Sequence, residues 1–374
     1  MLKQLSFVLL FASVAFTSQA QDASSIPPVE QVTVIVGPLD KTTDTVIAIP
    51  PDTSWSGTIS FLKSGTAQKV DPHAVADWLN KKSSTNGLHG TDLQPWHLVV
   101  AYDQFDEDGD NVHSGVVEEF WAGPKRYAVR YKSDSLNQTD YATEQGLFRL
   151  GDQRWANRTE TQVLKEIVYP FSYAASLQGF EVSAIDRSFG PHTLKCFVFQ
   201  RPGVVSNPTQ YCFDQNGSVL RYVRGEGWFQ TSYNDVAVFE GRNIGRDVEV
   251  TDGGHPFLKL RVKTLELISA IDQQDFTPPP DAVNQSGKPV TGVNPRPIST
   301  AFPEWPLSLR GQHFVVVVQI TIGKDGHVTD AQVISGPKDA RKTAEAAVRK
   351  WRYEPYLVAG EPAQVQTKVE LTQN

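Results

Sequence analysis

The chain has 374 residues, 40% of them hydrophobic and 21% charged, with a formal net charge of −7. That is enough apolar material for two domains with buried cores, and an acidic balance gives no basis for general affinity for nucleic acid or anionic membrane. The charge is uneven: from Arg310 onward nine Lys/Arg face seven Asp/Glu, a net of +2, which leaves −9 on the rest. A solvated helix face accounts for that basic tail more simply than a docking patch does.

Met1-Leu2-Lys3 is a short positive region, Leu5 to Thr17 an apolar run of about 13 residues, and Ser18-Gln19-Ala20 a small-residue cleavage site. This is the pattern of a secretory signal peptide. The run is shorter than the ~20 residues needed to span a bilayer, and no cysteine follows it for lipid attachment. No second run is long enough for a membrane helix. The expected mature protein is exported and lacks a transmembrane span. The organisation reads as a signal peptide (1–20), an N-terminal extension (21–70), a β-rich domain (71–275), a Pro-rich linker (276–297) and a C-terminal domain (298–374).

Pro72 to Lys82 predicts a short helix capped by Asp71. Alternating apolar residues then predict strands at Trp96–Phe105, Val112–Trp121, Arg126–Tyr131 and Thr139–Leu150. A partly helical stretch spans about Thr159 to Ala184. Strands resume at Thr193–Gln200, Pro208–Asp214, Val219–Arg224, Gly227–Ser232, Val236–Glu240, Ile244–Thr251 and Phe257–Leu267. So many strands at short spacing predict an antiparallel curved sheet or barrel. Cys196 and Cys212 are the only cysteines. Their midpoint falls in the loop between two of these strands, so a hairpin register sets them directly opposite, at a distance that suits a disulfide. The spacing is not that of a redox pair.

From Phe314 to Ile322 apolar residues alternate, Gly323-Lys324-Asp325-Gly326 makes a tight turn, and a second strand runs from about His327 to Ile334. Ala340, Ala344, Ala347, Val348 and Trp351 recur at helical spacing. Arg341, Glu345 and Arg349 fall on another face and can pair there. Pro355 should stop the helix, and Val365 to Leu371 gives a third strand. This ββαβ unit resembles the C-terminal domain of TonB-family proteins. The resemblance is carried by Lys324-Asp325-Gly326-His327-Val328, Ala346-Ala347-Val348, Trp351-Arg352-Tyr353-Glu354-Pro355 and Gly360-Glu361-Pro362. It implies docking to an outer-membrane transport partner, such as a TonB-dependent receptor, by strand addition. By position, the edge is the last strand: Gln364, Val365, Gln366, Thr367, Lys368, Val369, Glu370 and Leu371. An energy transducer of that family also has an uncleaved membrane helix and a long Pro-rich spacer. Here the apolar run is short and the prolines from Pro278 to Pro306 are few, so a docking role without transduction is expected.

Glu118-Glu119-Phe120-Trp121 followed by Gly123-Pro124-Lys125-Arg126-Tyr127 resembles a turn of periplasmic LolA/LolB-type half-barrels. That resemblance implies an apolar concavity for a lipid or another hydrophobic ligand. The fold class expected is therefore α+β, a β-rich half-barrel-like domain plus a small ββαβ unit, in the periplasm. Chemistry is thin. Asp106-x-Asp108-Gly109-Asp110 has its glycine misplaced for a calcium loop and no glutamate at the twelfth position. No histidine pair has metal-ligand spacing, and no nucleophile elbow, phosphate loop or dinucleotide fingerprint occurs. No cofactor, metal or enzymatic activity is expected. An open C-terminal edge over filled cores would favour docking, and a large apolar cavity would favour carriage. A homodimer made by pairing two edges stays open.

Overall fold

The computed structural model describes residues 63–373 apart from 91, 172–179, 190, 201, 203–207, 226–228, 269, 271 and 359–360. The signal peptide and most of the N-terminal extension lie outside the described residues. So do parts of the loop joining the two cysteine strands and of the Gly360-Glu361-Pro362 turn.

Helix α1 (Pro72–Ser83) begins where Asp71 accepts a hydrogen bond from the His73 N–H, 3.1 Å away, with Pro72 in the first turn. It buries Val75 and Leu79 and sets Trp78 against Phe197 and Phe213. A meander follows: β1 (Trp96–Phe105), β2 (Asn111–Trp121), β3 (Tyr127–Ser133), β4 (Asn137–Thr143) and β5 (Gly146–Gly151). Helix α2 (Arg158–Val168) then crosses to a second meander. This comprises β6 (Glu181–Phe189), β7 (His192–Gln200), β8 (Thr209–Phe213), β9 (Leu220–Arg224), β10 (Phe229–Phe239), β11 (Arg242–Asp252) and β12 (His255–Leu267). β12 pairs with β1, which joins both meanders into one antiparallel sheet. Its order is β6–β7–β8–β9–β10–β11–β12–β1–β2–β3–β4–β5. Short strands cover both ends: residues 63–64 and 68–69 pair with β6, and Val283–Asn284 with β5. Covered ends protect a sheet from pairing with other chains.

Trp96, Leu98, Val100 and Tyr102 alternate inward along β1, and residues from both meanders meet them in a single core. The sheet is curled around α2, which buries Val163, Leu164, Ile167 and Val168 and reaches β1, β2 and β11. Asn157 starts α2 with a capping box. Its side chain accepts from Thr159 and Glu160 N–H groups, and Glu160 accepts from the Asn157 N–H at 3.0 Å.

Within the large sheet three sequence expectations change. Thr139–Leu150 is two strands, because Gly146 turns the chain at φ +123° after Thr143. The helix expected to about Ala184 stops at Val168, ahead of Pro170, and Glu181 opens a strand. Only Val182 is fully buried on that strand, so its alternation is faint. The strands expected at Gly227–Ser232 and Val236–Glu240 are one, β10, bent at Asp235 (φ 45°). Arg246 holds that bend through the Asp235 carboxylate at 2.7 Å.

Cys196 and Cys212 are register partners on β7 and β8 and form a disulfide, packed with Leu194 and Tyr222. It closes a 15-residue loop, for which chain entropy gives ~3 kcal/mol. Reduction should therefore lower the unfolding free energy by about 2–4 kcal/mol, read as a fall in denaturant midpoint. An unchanged midpoint with both thiols verified free would refute that contribution.

Residues 276–297, expected as a linker, are tied down along their length. Phe276 is buried under Arg126. Val283–Asn284 pairs with β5, the Gln285 N–H donates to Leu147 O at 2.8 Å, and Val290 and Val293 are buried. The second core belongs to the C-terminal unit, where β13 (Phe314–Ile322) lies between β14 (Val328–Ser335) and β15 (Val365–Gln373), with α3 (Lys338–Val348) on one face. Ala340, Ala344 and Val348 join Val316, Val318 and Ile320 in that core, and Ala347 is buried as well. The helix ends before Trp351, which instead donates its indole N–H to Ala301 O at 2.9 Å. Gly326 has φ +80°, and a Cβ there would lie 2.0 Å from Tyr353 O, so both space and backbone demand glycine.

Candidate docking edge and the cleft between the cores

The two outer strands of the C-terminal sheet differ. On β14 the Val333 N–H donates to the Glu345 carboxylate at 3.1 Å, and Ala331 O accepts from the Arg349 guanidinium at 3.0 Å. Sequence spacing suggested that Arg341, Glu345 and Arg349 pair along the helix. Instead Glu345 and Arg349 reach across and cap the neighbouring strand edge.

On β15 the Gln366 N–H donates to Val290 O (2.8 Å) and Gln364 O accepts from the Val290 N–H (3.0 Å). Even-numbered residues of β15 therefore turn their backbone groups outward, while odd-numbered residues pair with β13. Thr367 adds a side-chain bond to Val293 O at 3.3 Å. Beyond it, no described residue bonds the outward backbone of Lys368, Glu370 or Thr372. Of the eight expected edge residues, Val365 and Leu371 are buried, Gln366, Thr367 and Val369 are half-buried, and Gln364, Lys368 and Glu370 are exposed. The chain itself occupies the first half of that edge and leaves the second half open.

The C-terminal unit is pinned to the large sheet. Trp155, just before α2, packs into the C-terminal core beside Val290 and Val293, with the Arg149 guanidinium 4.3 Å above its ring. Arg149 is fully buried and bonds Asp140 through two nitrogens at 2.6 Å. The Tyr356 hydroxyl bonds Ala156 O. Asp252 accepts from Arg158 (3.1 Å) and Arg296 (2.7 Å), and both guanidiniums lie over Phe229. Burial, reinforced by the Arg296 charge, pulls the Arg158 pKa down. Beside this clamp lies a cavity of about 40 Å³ lined by Arg158, Gln162, Lys165, Asn294, Arg296 and Glu354. That is space for no more than a few waters.

Residues 307–372 match the family model for the Gram-negative bacterial TonB protein C-terminal. This stretch is the TonB-like unit. It takes in the 3₁₀ turn Leu307–Leu309, all of β13, β14 and α3, and most of β15. No curated protein matches the chain in sequence. Among solved structures, a LolA superfamily protein from Nitrosomonas europaea aligns with a TM-score of 0.37 at 12% identity, over 56% of this chain and 98% of that one. A putative outer membrane lipoprotein-sorting protein domain from Vibrio parahaemolyticus aligns at 0.31 and 7%, over 55% and 97%.

The inner face of the large sheet carries an acid with no partner among the described residues. Glu119, between Leu98 and Val129 in register, is 1% exposed, and neither carboxylate oxygen bonds any described residue. Burial pushes its pKa up to about 8. Its neighbour Glu118 points the other way, to His97 (2.9 Å) and Arg130 (3.2 Å) on the outer face. Among the described residues no group of three or more His, Cys, Asp or Glu side chains could hold a metal, and no helix is long and apolar enough to cross a membrane. Sequence reading had not singled out Trp155 or Val290, and it named Glu119 only as part of the half-barrel turn resemblance, because the burial of each depends on residues distant in the chain.

Proposed function

We propose that this is an exported envelope protein whose TonB-like unit docks an extended segment of an outer-membrane transport partner by strand addition along Lys368–Thr372. The observation that carries the reading is the asymmetry of the C-terminal sheet. One edge is capped by Glu345 and Arg349, while the other presents the outward backbone of Lys368, Glu370 and Thr372. An unpaired row of donors and acceptors is a template for an added strand, whose main-chain bonds supply affinity. The match of residues 307–372 to the TonB C-terminal model supports the same reading. Carriage of a lipid by the large sheet has less support, because α2 and the side chains around it fill the inner face.

Glu370→Pro tests the proposal. Its outward N–H takes no part in pairing with β13, so proline there removes a docking donor and leaves the sheet intact. Pull-down from envelope extract should recover an outer-membrane receptor with the parent chain and at least tenfold less with the variant. Equal recovery, or no receptor with either, would sink strand docking.

A further inference from the structure

The segment Ser286–Pro295 lies on the C-terminal unit much as a bound peptide would. Only Val290 and Val293 are buried, at 1% and 6% exposure, while Lys288, Pro289, Thr291, Gly292 and Asn294 stay in solvent. Val290 bridges Val365 in parallel fashion and makes both main-chain bonds, to Gln364 O and from the Gln366 N–H. Both valines insert among Val316, Val365 and Leu371 of the second core. Main-chain bonds for affinity and spaced side-chain anchors for specificity are how a sheet edge recognises an extended ligand.

The fastenings that hold the segment to the large sheet lie at its two ends. Upstream, Gln285 bonds Leu147 O and Gln153 at 2.8 Å each, and the Ser286 hydroxyl accepts from the Leu147 N–H at 3.0 Å. Downstream, Arg296 holds Asp252 at 2.7 Å, and its carbonyl accepts from the Glu354 N–H. Residues 287–295 can therefore lift from β15 without either tether opening.

We propose that the groove beside Gln364–Thr367 is a peptide-recognition site held by the chain's own Pro289–Val293, and that its external ligand is an extended segment carrying two small β-branched apolar residues three positions apart. The inference rests on the strand-docking reading and narrows it. A partner confined to Lys368–Thr372 does not meet the tethered segment, whereas one that also runs along Gln364–Thr367 competes with it. The tether gives that segment a high effective concentration, so it masks the groove even if its intrinsic affinity is modest.

The probe is a fluorescein-labelled synthetic peptide of residues 286–295, titrated against the full chain by fluorescence anisotropy. Val290→Thr and Val293→Thr each place a hydroxyl in the core and weaken the internal occupant. Neither residue belongs to the groove wall, so the site itself is unchanged. Each variant should bind the peptide at least tenfold more tightly than the parent chain. Equal affinity for parent and variants, including no binding to any, would overturn the proposal. Hydrogen exchange on the unsubstituted chain gives a second measure that needs no variant. Saturating peptide should speed exchange of the Val290 amide several-fold while the Gln366 amide stays protected, and an unchanged Val290 rate would also overturn it. Failure of strand docking registers separately, as envelope capture indifferent to Glu370→Pro, a position the internal segment does not reach.

Discussion

Between pH 4 and pH 9, Glu119→Gln is expected to gain roughly 5 kcal/mol of stability relative to the parent chain. The figure follows from a carboxyl whose pKa rises from 4.5 to about 8 on folding, at 1.36 kcal/mol per unit. The sign follows from proton counting. Below the unfolded-state value both states hold the proton and the acid is neutral. From pH 4.5 to about 8 the folded chain keeps the proton that the unfolded chain releases, so stability falls as pH rises, and above about 8 the loss is complete. Glutamine mimics the neutral acid and carries no proton to lose. Urea denaturation of both proteins at several pH values measures the difference, in which other titrating groups largely cancel. Parallel stability curves would mean that Glu119 gains a partner or water that keeps it ionised.

Trp155→Ala should cost about 3–5 kcal/mol, the range for removing a large aromatic from a packed core. Trp155 is 8% exposed and belongs to the C-terminal core, though it enters from the large sheet's side. Its loss also strips the apolar ring from above the buried Arg149–Asp140 pair. The C-terminal sheet should then open first, seen as faster hydrogen exchange along Val316–Ile322 and at Gln366 while β1 and β2 remain protected. A change below 1 kcal/mol with uniform exchange would show that the cores are joined by other contacts.

These two residues mark where local sequence stops being informative. Glu118 and Glu119 are adjacent and alike in chemistry. The strand pattern places them on opposite faces, but the sequence does not say which face is dry. Only the curling of the sheet around α2 makes one face a core, sending Glu118 to His97 and Arg130 and leaving Glu119 without a partner among the described residues. Trp155 sits in a short connection whose neighbours give no periodicity. Its burial depends on Val290 and Val293, far along the chain.

Where a signal is local, sequence sufficed. The Asp71-Pro72 cap set the start of α1, the run from Phe314 to Ile322 set β13 to the residue, and the loop midpoint between Cys196 and Cys212 set their register. The α+β class, the antiparallel pairing and the ββαβ order near the C-terminus follow from such short-range rules of alternation, helical spacing and turn chemistry. The state of the last strand's edge was decided elsewhere. Its N–H and C=O groups are the same in every residue, so the sequence carries no mark of which ones find partners. That depended on Val290 being brought beside Val365 by tethers at Gln285 and Arg296, as the β14 edge depended on Glu345 and Arg349 reaching it. Backbone hydrogen bonds between distant segments are fixed by position in space, and only the tertiary structure supplies that position.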